Sequence, residues 1–279
     1  MKNAPHVRRA PATDQVSVLD EQAVRSADRR DQETQEAKQV PQVRTERMRV
    51  SFSPGFRSLS ARSNYSLRDY DTAFHDIELG ARVWAGESWG FFGAMGISLG
   101  ATLPSATASH SRVLTRFEDL SFGVLRRIGA LEQNKTKTNM FLKYIETHNG
   151  VSVSDHSRPR LSSAGISIGF VYESEPIDGS WWVTTTEFSP KIDHTERPNG
   201  TSNTRSGEGV ESVKIGVALE RYFKTRDLDA IRFSVDMGVE RNSFRGQTPS
   251  PDPVTGVSPI NVQVTTTSLG IRFGYSWGR

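Results

Sequence analysis

From Met48 to the C-terminus, apolar side chains recur at every second position, the spacing that sends successive residues to opposite faces of a β-strand. In the clearest stretch, Trp89, Phe91, Met95, Ile97, Leu99, Ala101 and Leu103 share one face, and Gly90, Phe92, Ala94, Gly96, Ser98, Gly100 and Thr102 share the other. Ile77, Leu79, Ala81 and Val83 alternate with Glu78, Gly80 and Arg82. The same pattern runs through Ala164–Tyr172, Val213–Leu219 and Ile231–Val239. With the weaker segments included, it predicts about ten strands (eight to twelve), near 48–58, 75–86, 88–103, 113–128, 136–147, 161–174, 181–190, 211–224, 229–243 and 262–277. Many of these exceed the roughly 5–6 residues of a globular strand and reach the roughly 9–11 that cross a bilayer at a tilt.

The connections alternate as well. Short ones are predicted at Glu87, 129–135, 175–180 and 225–228, and long polar ones at 59–74, 104–112, 148–160, 191–210 and 244–261. One rim of short turns and one of long loops is the habit of a barrel that spans a membrane. Trp84, Trp89, Trp181, Trp182 and Trp277 all fall beside short turns or at the chain end, which predicts an aromatic girdle at one membrane interface. Phe56, Phe74, Phe117, Phe188 and Phe244 fall at the opposite strand ends. The fold expected is therefore all-β, an antiparallel up-and-down transmembrane β-barrel over 48–279.

Composition changes this picture little. Hydrophobic content of 35% and a mean hydropathy of -0.51 resemble a soluble protein. A barrel wall, however, needs only alternate residues to be apolar. No run approaches the roughly 20 apolar residues of a spanning helix. The absence of cysteine excludes disulfides, thiolate nucleophiles and cysteine-bound zinc. Interspersed charges summing to +3 leave no nucleic-acid footprint. Residues 1–47 are mixed in charge, poor in apolar residues and without aromatics, and so are expected to form a disordered tail or linker. They contain no secretory leader of basic segment and apolar run, which export would require. A soluble β-barrel that binds a ligand is the reading this feature would favour.

The last strand ends Ser268, Leu269, Gly270, Ile271, Arg272, Phe273, Gly274, Tyr275, Ser276, Trp277. A polar residue, a glycine two places on and alternating hydrophobic positions resemble the terminal signal of bacterial outer-membrane β-barrel proteins. Ser268, Gly270, Phe273, Tyr275 and Trp277 occupy its positions, although Gly278 and Arg279 follow the aromatic residue on which such proteins typically end. The resemblance covers about 48–279. It implies residence in the bacterial outer membrane, lipid as surroundings and the barrel-assembly machinery as a partner. It would also place the tail in the periplasm, within reach of a partner there.

With the apolar faces toward lipid, the lumen receives Glu78, Arg82, Asp119, Arg127, Lys143, Glu173, Lys214, Glu220, Arg232, Asp236, Glu240 and Arg272. Balanced buried charges persist when paired, so a salt-bridge network filling a narrow interior is expected, with a small polar pore as the alternative. His75–Asp76, Asp155–His156 and Asp193–His194 lie in or beside predicted outer loops. Certain ten-stranded outer-membrane proteases use Asp and His at that rim to activate water, which makes these six residues the candidates for a hydrolase. No cofactor or metal motif is present. The function expected is non-enzymatic anchoring or surface interaction through the outer loops.

Overall fold

The computed structural model describes residues 46–279 except 106–110, 129–134, 152–157, 159, 198–210 and 249–250. Eleven strands form it: β1 (Met48–Ser63), β2 (Tyr70–Trp84), β3 (Trp89–Leu99), β4 (Thr102–Pro104), β5 (Arg112–Ile128), β6 (Lys137–Val151), β7 (Arg160–Glu173), β8 (Ser180–Arg197), β9 (Glu211–Arg226), β10 (Asp229–Gln247) and β11 (Ile260–Gly278). Each pairs antiparallel with its neighbour in sequence, except that β5 pairs with both β3 and the three-residue β4. The final strand closes on the first, with Val50 opposite Trp277 and Leu59 opposite Ser268. The result is a closed barrel of ten wall strands, β4 being a short continuation of β3.

Alternation decides which way the wall faces. Leu79, Phe91, Met95, Phe122, Leu142, Phe170, Ile215, Met237 and Phe273 all point outward, Phe91 at 56% and Phe273 at 61% exposure. So large an apolar surface exceeds what a soluble monomer leaves in water. Inward positions carry charges, small polar residues such as Ser53, Ser167, Ser189 and Ser234, and a few large apolar groups. Where a large inward group needs space, glycine provides it. A Cβ on Gly169 would stand 2.6 Å from Cζ of Phe141, whose ring packs beside Trp84 and Leu125 in the lower lumen.

Two interruptions reverse the alternation. At Gly100, φ of +63° turns the backbone into the left-handed region that glycine adopts without steric cost. Beyond it Ala101 and Leu103 are 1% exposed and face inward, correcting their assignment to the greasy outer face. On β8 the register slips between the pairs Ile168↔Phe188 and Ile166↔Lys191, at Pro190, which has no N–H to donate to the ladder. Before it the outward residues have even numbers (Trp182, Phe188); after it the even-numbered Ile192 and His194 are buried.

The strands also run further at the loop-rich end than the alternation predicted. β1 continues to Ser63 and β2 begins at Tyr70, so the predicted loop 59–74 contracts to six residues, and β8 and β10 extend to Arg197 and Gln247. These extensions alternate polar residues outside with apolar ones inside, which hides them from a search for apolar outer faces. The expected tail falls almost entirely outside the described residues.

Candidate functional site

The lumen is layered. At its middle, ion pairs link distant walls. Arg57 on β1 pairs with Asp119 on β5 and, at 3.2 Å, with Asp76 on β2. Arg232 on β10 holds Glu78 on β2 at 2.8 Å and Glu220 on β9 at 2.7 Å. Arg272 on β11 reaches Asp76 at 2.8 Å and also pairs with Asp236. Nearer the short-turn rim, Arg82 on β2 spans the lumen to Glu173 on β7 at 2.8 Å. Lys143 and Lys214 share Glu187. Each guanidinium in this belt answers two or more carboxylate contacts, the arrangement that lets charge survive away from water.

The expected network is therefore assembled from Glu78, Arg82, Lys214, Glu220, Arg232, Asp236 and Arg272, with Asp119, Lys143 and Glu173. Arg127 stands apart: it lies over the Trp84 ring at 4.0 Å, donates to the Glu87 carbonyl and pairs with no carboxylate among the described residues. Glu240 accepts a hydrogen bond from Asn242 higher in the barrel. Arg57 and Glu187 were missed, yet each sits in an alternating inward row, Ser53-Gly55-Arg57 and Thr185-Glu187-Ser189.

Below the belt, aromatic residues fill the base. Trp84 is 8% exposed and points inward, and Trp181 stacks on inward-facing Tyr222 with 5.1 Å between ring centroids. The Arg49 guanidinium lies over both of these rings. Trp84 and Trp181 thus leave the expected girdle, because strand parity and not height decides the face. Trp89, Trp182 and Trp277 do face outward at this rim, with Arg126 over Trp89 and Arg221 over Trp182. At the other end, Phe56 and Phe188 face outward, whereas Phe74, Phe117 and Phe244 turn inward.

The β1–β2 connection reaches across the outer mouth. Its single 3-10 turn, Ser66–Arg68, folds over the lumen with Tyr65 and Leu67 buried against Phe244, Val262 and Val264. Asp252, in the β10–β11 connection, accepts from the Ser66 N–H at 2.7 Å, the Ser66 hydroxyl at 2.9 Å and the Val254 N–H at 2.7 Å. Burial works against its charged form, but these donors outweigh it and hold the carboxyl below the usual aspartate range. Arg158, before β7, donates to the carbonyls of Leu67 at 2.6 Å and Pro104 at 3.0 Å.

The hydrolase candidates do not assemble. His75 faces outward against Phe56 while Asp76, 2% exposed, faces the belt. Asp193 is outside near Lys191, and His194 is inside. Both pairs lie within strands and not in loops, so each is split across the wall. Asp155 and His156 lie outside the described residues. His194 instead meets Ser163, whose Oγ is 2.8 Å from Nδ1, a contact created by the Pro190 irregularity and invisible to spacing arguments. Among the described residues no group of His, Asp or Glu is placed to hold a metal ion.

In the last strand, Phe273, Tyr275 and Trp277 face outward while Ser268 and Gly270 face the lumen. The Asp236 carboxylate occupies the space a side chain at Gly270 would need.

No protein-family model matches the chain, and no curated protein matches it in sequence. Among solved structures it resembles the translocator domain of the autotransporter NalP from Neisseria meningitidis, with 11% identity over 92% of this chain and 97% of that one, at a TM-score of 0.43. It also resembles the outer-membrane protein OprG from Pseudomonas aeruginosa (10% identity, 84% and 98% covered, TM-score 0.35). A third likeness is to the β domain of the Bordetella autotransporter BrkA (13%, 82% and 100%, TM-score 0.37). TM-scores below 0.5 at such identities assign no function, so what the barrel does has to be read from its own lumen and rims. Its closed ten-stranded wall, apolar outside and charged within, is that of an antiparallel transmembrane β-barrel.

Proposed function

We propose that this chain is a closed, non-conducting barrel of the bacterial outer membrane, acting through its outer rim as an anchor or interaction surface and not as a pore or an enzyme. The observation that carries this reading is the belt of ion pairs joining β1 to β5, β2 to β7 and β2 to β10, beneath the turn Ser66–Arg68. Both ends of the barrel domain lie at the short-turn rim, with Arg49 opposite Gly278. Residues 1–47 would then join the barrel from the periplasmic side, available to a partner there. The strand 268–277 would be read by the assembly machinery before it pairs with β1.

Liposome swelling tests the closure. Vesicles carrying the folded protein should shrink and stay shrunken in small sugars as protein-free vesicles do; re-swelling in a sugar-size-dependent manner would favour the narrow-pore reading. The Ser163–His194 contact is the one observation favouring an enzyme, since a hydroxyl within reach of an imidazole can act as a nucleophile. A fluorophosphonate probe should leave Ser163 unmodified, and stoichiometric labelling there would overturn the non-enzymatic reading.

A further inference from the structure

Between the ion-pair belt and the cap lies a cavity of about 160 Å³, floored by Arg57 and Asp119 and roofed by Leu67 and Arg68. Its walls are mixed. Leu103 and Phe117 form an apolar side, with Phe117 backed by the parallel ring of Phe74 at 4.8 Å, and Phe244 and Val264 face the lumen from β10 and β11. From β6, Asn149 lines the same space at 7% exposure, and its Oδ1 has no hydrogen-bond partner among the described residues. A buried amide oxygen left unsatisfied forfeits its hydration, so a site that keeps one is arranged for something to donate to it.

Size and charge narrow the ligand class. An apolar cavity of roughly 150 Å³ admits benzene, so this one suits a single ring or its aliphatic equivalent. Of the charges bordering it, Arg57 pairs with Asp119 and Asp76, Lys214 pairs with Glu187, and Glu240 accepts a hydrogen bond from Asn242. The roof guanidiniums meet the Phe244 ring (Arg68) and the Leu67 and Pro104 carbonyls (Arg158). An ionic ligand would have to displace these contacts or be desolvated without compensation. We propose that the cavity is a binding site for a small uncharged molecule of single-ring size bearing a hydroxyl group, its ring against Leu103 and Phe117 and its hydroxyl donating to Asn149. The sequence hides such a site, because Leu103 reaches it through the reversal at Gly100 and Asn149 belongs to a strand whose apolar residues are divided between both faces.

The test is a ¹⁹F NMR titration of the full-length protein in detergent micelles with 4-fluorophenol, fluorobenzene and 4-fluorobenzoate, each referenced to empty micelles. Saturable binding is expected for 4-fluorophenol, about fivefold weaker for fluorobenzene for want of one hydrogen bond, and weakest for the benzoate. Asn149→Leu should reduce fluorophenol affinity to the fluorobenzene level and leave fluorobenzene unchanged, while Leu103→Trp should fill the space and abolish both. Heat-modifiable gel migration checks that each variant folds, and should Leu103→Trp fail it, the Asn149→Leu comparison decides alone. Partitioning no different from empty micelles, tighter binding of the benzoate, or fluorophenol affinity unaffected by Asn149→Leu would each overturn the proposal.

Discussion

Replacing Arg272 by Met puts the belt under its most direct stress. Arg272 is 4% exposed and answers Asp76, itself 2% exposed, along with Asp236 and, at 3.8 Å, Glu78. Met keeps much of the side-chain volume but removes the charge, leaving three carboxylates to share Arg57 and Arg232. Removing one partner of a buried ion pair typically costs about 3–5 kcal/mol, because the remaining charge is left desolvated and uncompensated. With a urea slope of roughly 2 kcal/mol per molar, about 4 kcal/mol lowers the unfolding midpoint by roughly 2 M. The matched control is Arg62→Met. Its pair with Asp71 has a similar distance, 2.7 Å, but both side chains are more than half exposed, at 60% and 64%, so its midpoint should not move measurably. Tryptophan fluorescence during urea unfolding of the protein refolded into lipid vesicles reads both. Equal midpoints for the two variants would refute the view that the lumen charges are buried and mutually dependent.

Three further outcomes follow from the geometry. Among single-tryptophan variants, a lipid-phase quencher should dim Trp89, Trp182 and Trp277 and spare Trp84 and Trp181; equal quenching of Trp181 and Trp182 would contradict their opposite facing. Asp252 is held below its ordinary pKa, so its contribution to the cap is present above the unfolded value of 3.8 and is lost as pH falls through the lower folded value. Amide exchange at Ser66 should stay protected from neutral pH down to about 4 and be unprotected at every pH in Asp252→Ala, which removes the acceptor, whereas protection that survives Asp252→Ala would show that other contacts hold the cap. Gly270→Ala should destabilise by about 1–3 kcal/mol as its methyl group meets Asp236, and Asp236→Ser should relieve part of that loss. A defect untouched by the second change would instead tie Gly270 to recognition during assembly.

What the sequence made legible is the wall; what it concealed is the interior. Phe91, Phe170, Ile215 and Phe273 announce their outward face because lipid demands an unbroken apolar row. Inside, the row is charged, small or aromatic by turns, so Trp84 and Trp181 could be sorted by height but not by face without a fixed parity. Parity itself breaks at Gly100 and Pro190, and everything beyond each break, including Leu103 and His194, changes sides. The ion-pair partners were mostly nameable from alternation, but which met which depended on closure of β1 onto β11. The cap was beyond reach altogether, since Ser66, Asp252 and Arg158 come from three connections that only the closed barrel gathers at one mouth.

Single-channel recording in planar bilayers bears most directly on the closed lumen. The wild-type protein, inserted and folded, should give no stepwise conductance, because the belt, the aromatic base and the cap all lie across the lumen. Regular steps from the wild type would contradict the account.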